Sequence, residues 1–136
     1  MVAQVGWLRV LILAFLVEVG LLVTALPFVP LLGERAAFTI VVPIACAIVP
    51  FVIVLIGTRK LASAHVLHGF WIGIVAMLMY FALVIVAASI PEAVASYGLP
   101  LFVGVNALRL AACVAGGYAA SRAAAKLVVR AEPQSR

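Results

Sequence analysis

Residues 10–33 read VLILAFLVEVGLLVTALPFVPLLG, a stretch whose only charge is Glu18. About 20 apolar residues at 1.5 Å per residue cross the roughly 30 Å hydrocarbon layer as a helix, so this segment is long enough to span. Three further stretches have the same character: 36–58 and 61–91 contain no Asp, Glu, Lys or Arg, and 93–121 contains only Arg109. The apolar residues come in continuous blocks instead of alternating in segments of about ten, which excludes a membrane β-barrel. With 68% hydrophobic and 10% charged residues in 136, the chain also lies far from the balance of a soluble domain. The sequence therefore predicts an all-α integral membrane protein: one domain, residues 1–136, built as a four-transmembrane-helix bundle.

Breakers and caps place the spans at about 8–28, 36–56, 64–88 and 100–120. Pro27 and Pro30 end the first. Pro43 and Pro50 lie seven residues apart inside the second, each removing a backbone hydrogen bond, so a kink is expected there, with neighbouring helices or a hydroxyl such as that of Thr39 compensating. Gly57 is a plausible C-cap of the second span and Ser63 an N-cap of the third. Ser89, Pro91 and Glu92 suggest a short interfacial helix over about 91–96, broken by Gly98 and Pro100.

Basic residues set the threading. Arg9, Arg59, Lys60, Arg122, Lys126, Arg130 and Arg136 fall on one side of the predicted spans, with Arg35 on the other. By the positive-inside bias both termini are cytoplasmic, an N-in/C-in topology in a cell membrane, of the bacterial inner-membrane type. The formal net charge of +5 is then a topology signal, and nucleic acid is not an expected partner. Arg9 before an apolar run is also how a signal peptide begins. The run is long for that role, Glu18 interrupts it, and the residues before Pro27 make a poor cleavage site, so the first helix is expected to stay. Cys46 and Cys113 fall at different depths and read as small buried apolar side chains, not a disulfide or metal pair.

Glu18 and Arg109 each sit about ten residues from the cytoplasmic end of their spans, on the order of 15 Å deep. A lone central Arg costs roughly 2.5–3.5 kcal/mol on insertion scales, so the matched depth predicts that acid and base meet as an intramembrane ion pair. Asn106, one turn from Arg109, is expected to bond the carboxylate or a helix backbone. Contacts to a partner subunit and a proton or ion relay are the other readings of these charges.

Small residues allow close helix approach in lipid. Gly69 and Gly73, in GxxxG spacing, are expected to pack against Ala112, Ala115, Gly116 and Ala119 at the same depth of the fourth span. Arg122, Lys126 and Arg130 recur every four residues in the tail 121–136, one side of a helix, so this stretch is expected to continue the fourth helix into the headgroups and hold anionic lipid there. His65 and His68 invite a haem or metal reading, but no Asp or Glu stands near them in sequence, so no metal or cofactor is predicted and they are assigned to the headgroup-facing polar band. No nucleophile, base and orienting group occur together, so no catalytic residue is assigned.

The expected function is that of a non-catalytic accessory or structural subunit of a larger membrane complex, with other membrane subunits or a second copy as partners. A small homo-oligomeric transporter or ion-conducting protein using Glu18 is the alternative. A quinone- or haem-associated anchor using His65 or His68 ranks third.

Overall fold

The computed structural model describes residues 5–87 and 98–131, with side chains for 5–86 and 98–127. Every regular element among them is helical: α1 (Trp7–Ala25), α2 (Phe28–Leu32), α3 (Glu34–Ala36), a π-helical turn (Ala37–Val41), α4 (Val42–Thr58), α5 (His65–Ala87) and α6 (Leu99–Ala131). Four helical segments, Trp7–Leu32, Glu34–Thr58, His65–Val86 and Leu99–Leu127, are long and apolar enough to cross a membrane, the mark of a multi-pass membrane protein.

Neighbour relations follow from backbone packing. α6 lies along both α4 and α5, and α1 lies along α5 and α4, while α4 and α5 touch only lightly. Around the bundle the order is therefore α1, α4, α6, α5, with the first and last helices facing each other across its centre. The inward residues of α1 are Val10, Leu13, Ala14, Val17, Glu18 and Leu21, the three-and-four spacing of one helix face. The opposite face, including Leu11, Ile12, Phe15, Leu22 and Val23, is exposed and suited to lipid.

Packing is uneven along the axis. Val10, Val54, Ile72, Cys113 and Ala120 are all fully buried, and all lie in the half of the bundle that carries the 59–64 connection. The other half is hollow. There a partly open cavity of about 170 Å³ is lined by α1, the π turn, α4, Tyr80 of α5 and α6.

Several boundaries differ from the sequence reading. The first helix breaks at Pro27 and resumes as α2, ending at Gly33, whose φ of 82° suits glycine. Where a proline kink was expected, a π turn precedes Pro43: the Val42 amide donates to the Ala37 carbonyl, five residues back. The Thr39 hydroxyl donates to the Arg35 carbonyl at 2.8 Å. Ser63 is not the residue flanking α5, because Ala64 stands between them at φ 60°, a left-handed turn that places the helix start at His65. α6 continues eleven residues past Ala120, where the fourth span was expected to end, and so carries the basic tail on as helix, in keeping with its Ala, Lys, Leu and Arg, all good helix formers. The expected interfacial helix 91–96, the tail 132–136 and the side chain of Arg130 lie outside the described residues.

Candidate functional site

The inward face of α6 carries Phe102, Asn106, Arg109, Cys113 and Ala120, all buried. That face points across the bundle at the inward face of α1, and there Arg109 Nη1 donates to Glu18 Oε1 at 2.7 Å, with 5% and 7% of the two side chains exposed. The pair thus bridges the diagonal between helices that share little backbone contact. Buried ion pairs roughly offset their own desolvation cost, so this one adds less net stability than specificity of arrangement.

Two residues that sequence reasoning did not place at this site complete the surroundings. The Tyr80 ring lies under the guanidinium, 4.6 Å from its carbon to the ring centroid, a cation–π contact. Cys46, buried on α4, lines the same cavity as Glu18 and Arg109. Tyr80 was detectable in principle: Gly69, Gly73, Ala76 and Tyr80 follow one face of α5 at spacings of four, three and four. For Cys46 only the depth was readable.

Asn106 does not reach Glu18. Its Nδ2 donates to the Phe102 carbonyl of its own helix at 2.8 Å, leaving Oδ1 buried without a partner. Arg109 Nε is likewise buried and unpartnered. Glu18, Cys46, Tyr80 and Arg109 form the polar floor of the cavity, whose remaining lining is apolar.

The small residues divide between two neighbours. A Cβ at Gly69 would lie 2.5 Å from the Cys113 carbonyl oxygen, and one at Gly73 would lie 2.7 Å from Leu110, so both pack on α6. Their counterpart there is Gly117, where a Cβ would meet the His65 carbonyl oxygen at 2.5 Å. Gly116 corrects the expected pairing: it faces α4, 2.6 Å from the Phe51 carbonyl oxygen. Successive helix residues point about 100° apart, so adjacent glycines serve different helices. Ala112, one turn from Gly116, is buried, whereas Ala115, expected on the same packing face, is exposed on the outside of the bundle.

The histidines are not in a headgroup-facing band. His68 is 2% exposed, its Nε2 accepts from the Gly6 amide at 3.1 Å, and its Nδ1 stands 2.9 Å from the Ala64 carbonyl. An accepting Nε2 requires the proton on Nδ1, so the ring is neutral and ties the start of α1 to the start of α5. Both ring nitrogens are thereby engaged, which removes His68 as an iron ligand in this conformation. His65 is also buried, with Nε2 unpartnered. Among the described residues no group of three or more His, Cys, Asp or Glu could hold a metal ion.

At the end of the bundle that carries the 59–64 connection, Arg59, Lys60, Arg122 and Lys126 line an open cleft. Compared with known protein families, curated proteins and solved structures, the chain finds no match.

Proposed function

We propose that this protein is a non-catalytic accessory or structural subunit of a larger assembly in the cell membrane, inserted with both termini and the 59–64 connection facing the cytoplasm. One observation carries the reading. The outward face of α6 presents Gly104, Ala107, Ala111 and Ala115, all exposed, at spacings of three and four residues. A Cβ at Gly104 would meet nothing within 4 Å. Inside the bundle the same composition, at Gly69, Gly73 and Gly117, brings backbones together, and on the outside it offers a shallow track for a helix of another membrane protein. The internal ion pair fits this role, because Glu18 and Arg109 neutralise each other within one chain and leave the outer face free of intramembrane charge.

The test is native mass measurement after gentle detergent extraction, for the unaltered chain and for Ala111→Phe. The reading expects a heteromeric complex that Ala111→Phe dissociates while the chain stays folded. A single-chain particle from native membranes would remove it.

The cavity above Glu18 and Arg109 favours one alternative, a small homo-oligomeric transporter or ion-conducting protein using that acid. This alternative expects a homodimer in the same measurement, and flux in proteoliposomes that Glu18→Gln abolishes.

A further inference from the structure

The basic cleft joins residues from two separate parts of the chain. Arg59 and Lys60 come from the connection between α4 and α5, and Arg122 and Lys126 come from successive turns of α6. Together they line a volume of about 980 Å³, and no carboxylate lines it among the described residues. Ala123, Ala124 and Ala125 occupy the wall between the two α6 cations, and their short side chains leave the space open. Sequence spacing alone suggested a one-sided stripe at Arg122, Lys126 and Arg130; the fold supplies the opposing wall.

Depth indicates what such a cleft meets. With Arg109 near the bilayer centre, Arg122 lies thirteen residues away, about 20 Å along the helix. The hydrocarbon half-thickness is about 15 Å and the headgroup layer extends to about 22 Å, so Arg122 stands among the headgroups. One turn deeper, the exposed Tyr118 ring lies 5.7 Å from the Arg122 guanidinium carbon, an aromatic residue at interfacial depth. Arg offers a planar fork that matches phosphate oxygens and Lys a mobile point charge, so one residue of each type on each wall suits a phosphate group held between them.

We infer that this cleft is a specific site for a phosphate-bearing group, supplied by the headgroup of an anionic phospholipid with its acyl chains lying along the apolar surface of the bundle. The inference is independent of the accessory-subunit reading, since a solitary chain would bind the same headgroup. Four converging cations distinguish it from diffuse surface attraction by predicting a saturable site with one occupant.

The experiment uses the purified full chain in micelles and titrates phosphatidylglycerol against phosphatidylcholine, counting retained lipids by native mass spectrometry. Lys60→Gln with Lys126→Gln removes one charge from each wall while keeping Arg9, Arg59 and Arg122, so the threading signal survives. At about fivefold per basic residue near the surface, the double change should weaken phosphatidylglycerol retention about 25-fold. Lys60→Arg with Lys126→Arg should retain it, as should Arg35→Gln at the other end of the bundle. Circular dichroism checks that each variant folds. A second arm titrates glycerol phosphate by calorimetry. Saturable binding there that the double Gln change weakens would support the phosphate site but assign it to a soluble ligand. Binding in neither arm would overturn the inference, as would unsaturable lipid retention or retention indifferent to the double Gln change.

Discussion

Severing the bridge between Glu18 and Arg109 should have unequal effects depending on which residue is removed. Removing one member of a buried ion pair strands the other and costs about 3–5 kcal/mol. In Arg109→Met the stranded group is a carboxyl, which can take up a proton. At pH 7 that costs an ordinary glutamate about 3.7 kcal/mol, a ceiling on the electrostatic part of the penalty. Loss of the Tyr80 contact, 4.6 Å from the guanidinium, adds about 0.5–2 kcal/mol. In Glu18→Leu the stranded group is a guanidinium, which cannot shed its proton, so no such ceiling applies and the loss should reach the upper part of the 3–5 kcal/mol range. With both changes no charge is left stranded, and the double variant should unfold within about 2 kcal/mol of the native chain. Unfolding in mixed micelles, followed by a mass-tag trap or by tryptophan emission, measures all four corners of the cycle. Losses in the double variant equal to the sum of the single losses would mean that the two residues do not couple, and the diagonal bridge would have no energetic role.

Other perturbations separate packing from composition. Gly69→Val puts a side chain 2.5 Å from the Cys113 carbonyl oxygen and should cost at least 1–3 kcal/mol in the same unfolding assay, whereas Gly104→Ala meets nothing within 4 Å and should be neutral or stabilising by up to about 1 kcal/mol. His68→Phe leaves the Gly6 amide without its acceptor, so hydrogen exchange at Gly6 should accelerate and stability fall by about 1–3 kcal/mol. Single cysteines introduced at Arg35 and at Lys60, with Cys46 and Cys113 replaced by Ala, should label from opposite sides of intact cells, position 35 first and position 60 only after permeabilisation.

What the sequence made readable is one-dimensional. Hydropathy located four segments long enough to cross, and counting residues from each end put Glu18 and Arg109 at one depth, because a helix converts residue number directly into distance. The angular coordinate was not readable. Spans that are apolar all round carry almost no amphipathic stripe, so nothing in composition states which face of α6 meets α4 and which meets α5. Gly116 and Gly117 illustrate this, one residue and about 100° apart on different neighbours. Of the two partners expected for Asn106, the carboxylate or a helix backbone, its amide takes the backbone, at the Phe102 carbonyl, a choice that side-chain torsion decides. His68 was read as headgroup-facing because it lies near the edge of its span, yet the connection that turns at Ala64 folds it inward onto Gly6. The continuation of α6 past Ala120 was readable from the four-residue recurrence of Arg122, Lys126 and Arg130, because loss of hydropathy ends a membrane crossing and not a helix.

The sequence separation of the diagonal bridge also has a consequence for biogenesis. Glu18 and Arg109 are 91 residues apart, and at about 5–20 residues per second the ribosome needs roughly 5–18 s to make the second after the first. Throughout that interval the nascent first helix holds an acid whose counterion does not yet exist. It must keep that acid protonated, hydrated within the insertion machinery or shielded by a helper until the last helix arrives. Assembly therefore has an obligatory waiting state, and chains truncated before Arg109 should be selectively cleared by membrane quality control.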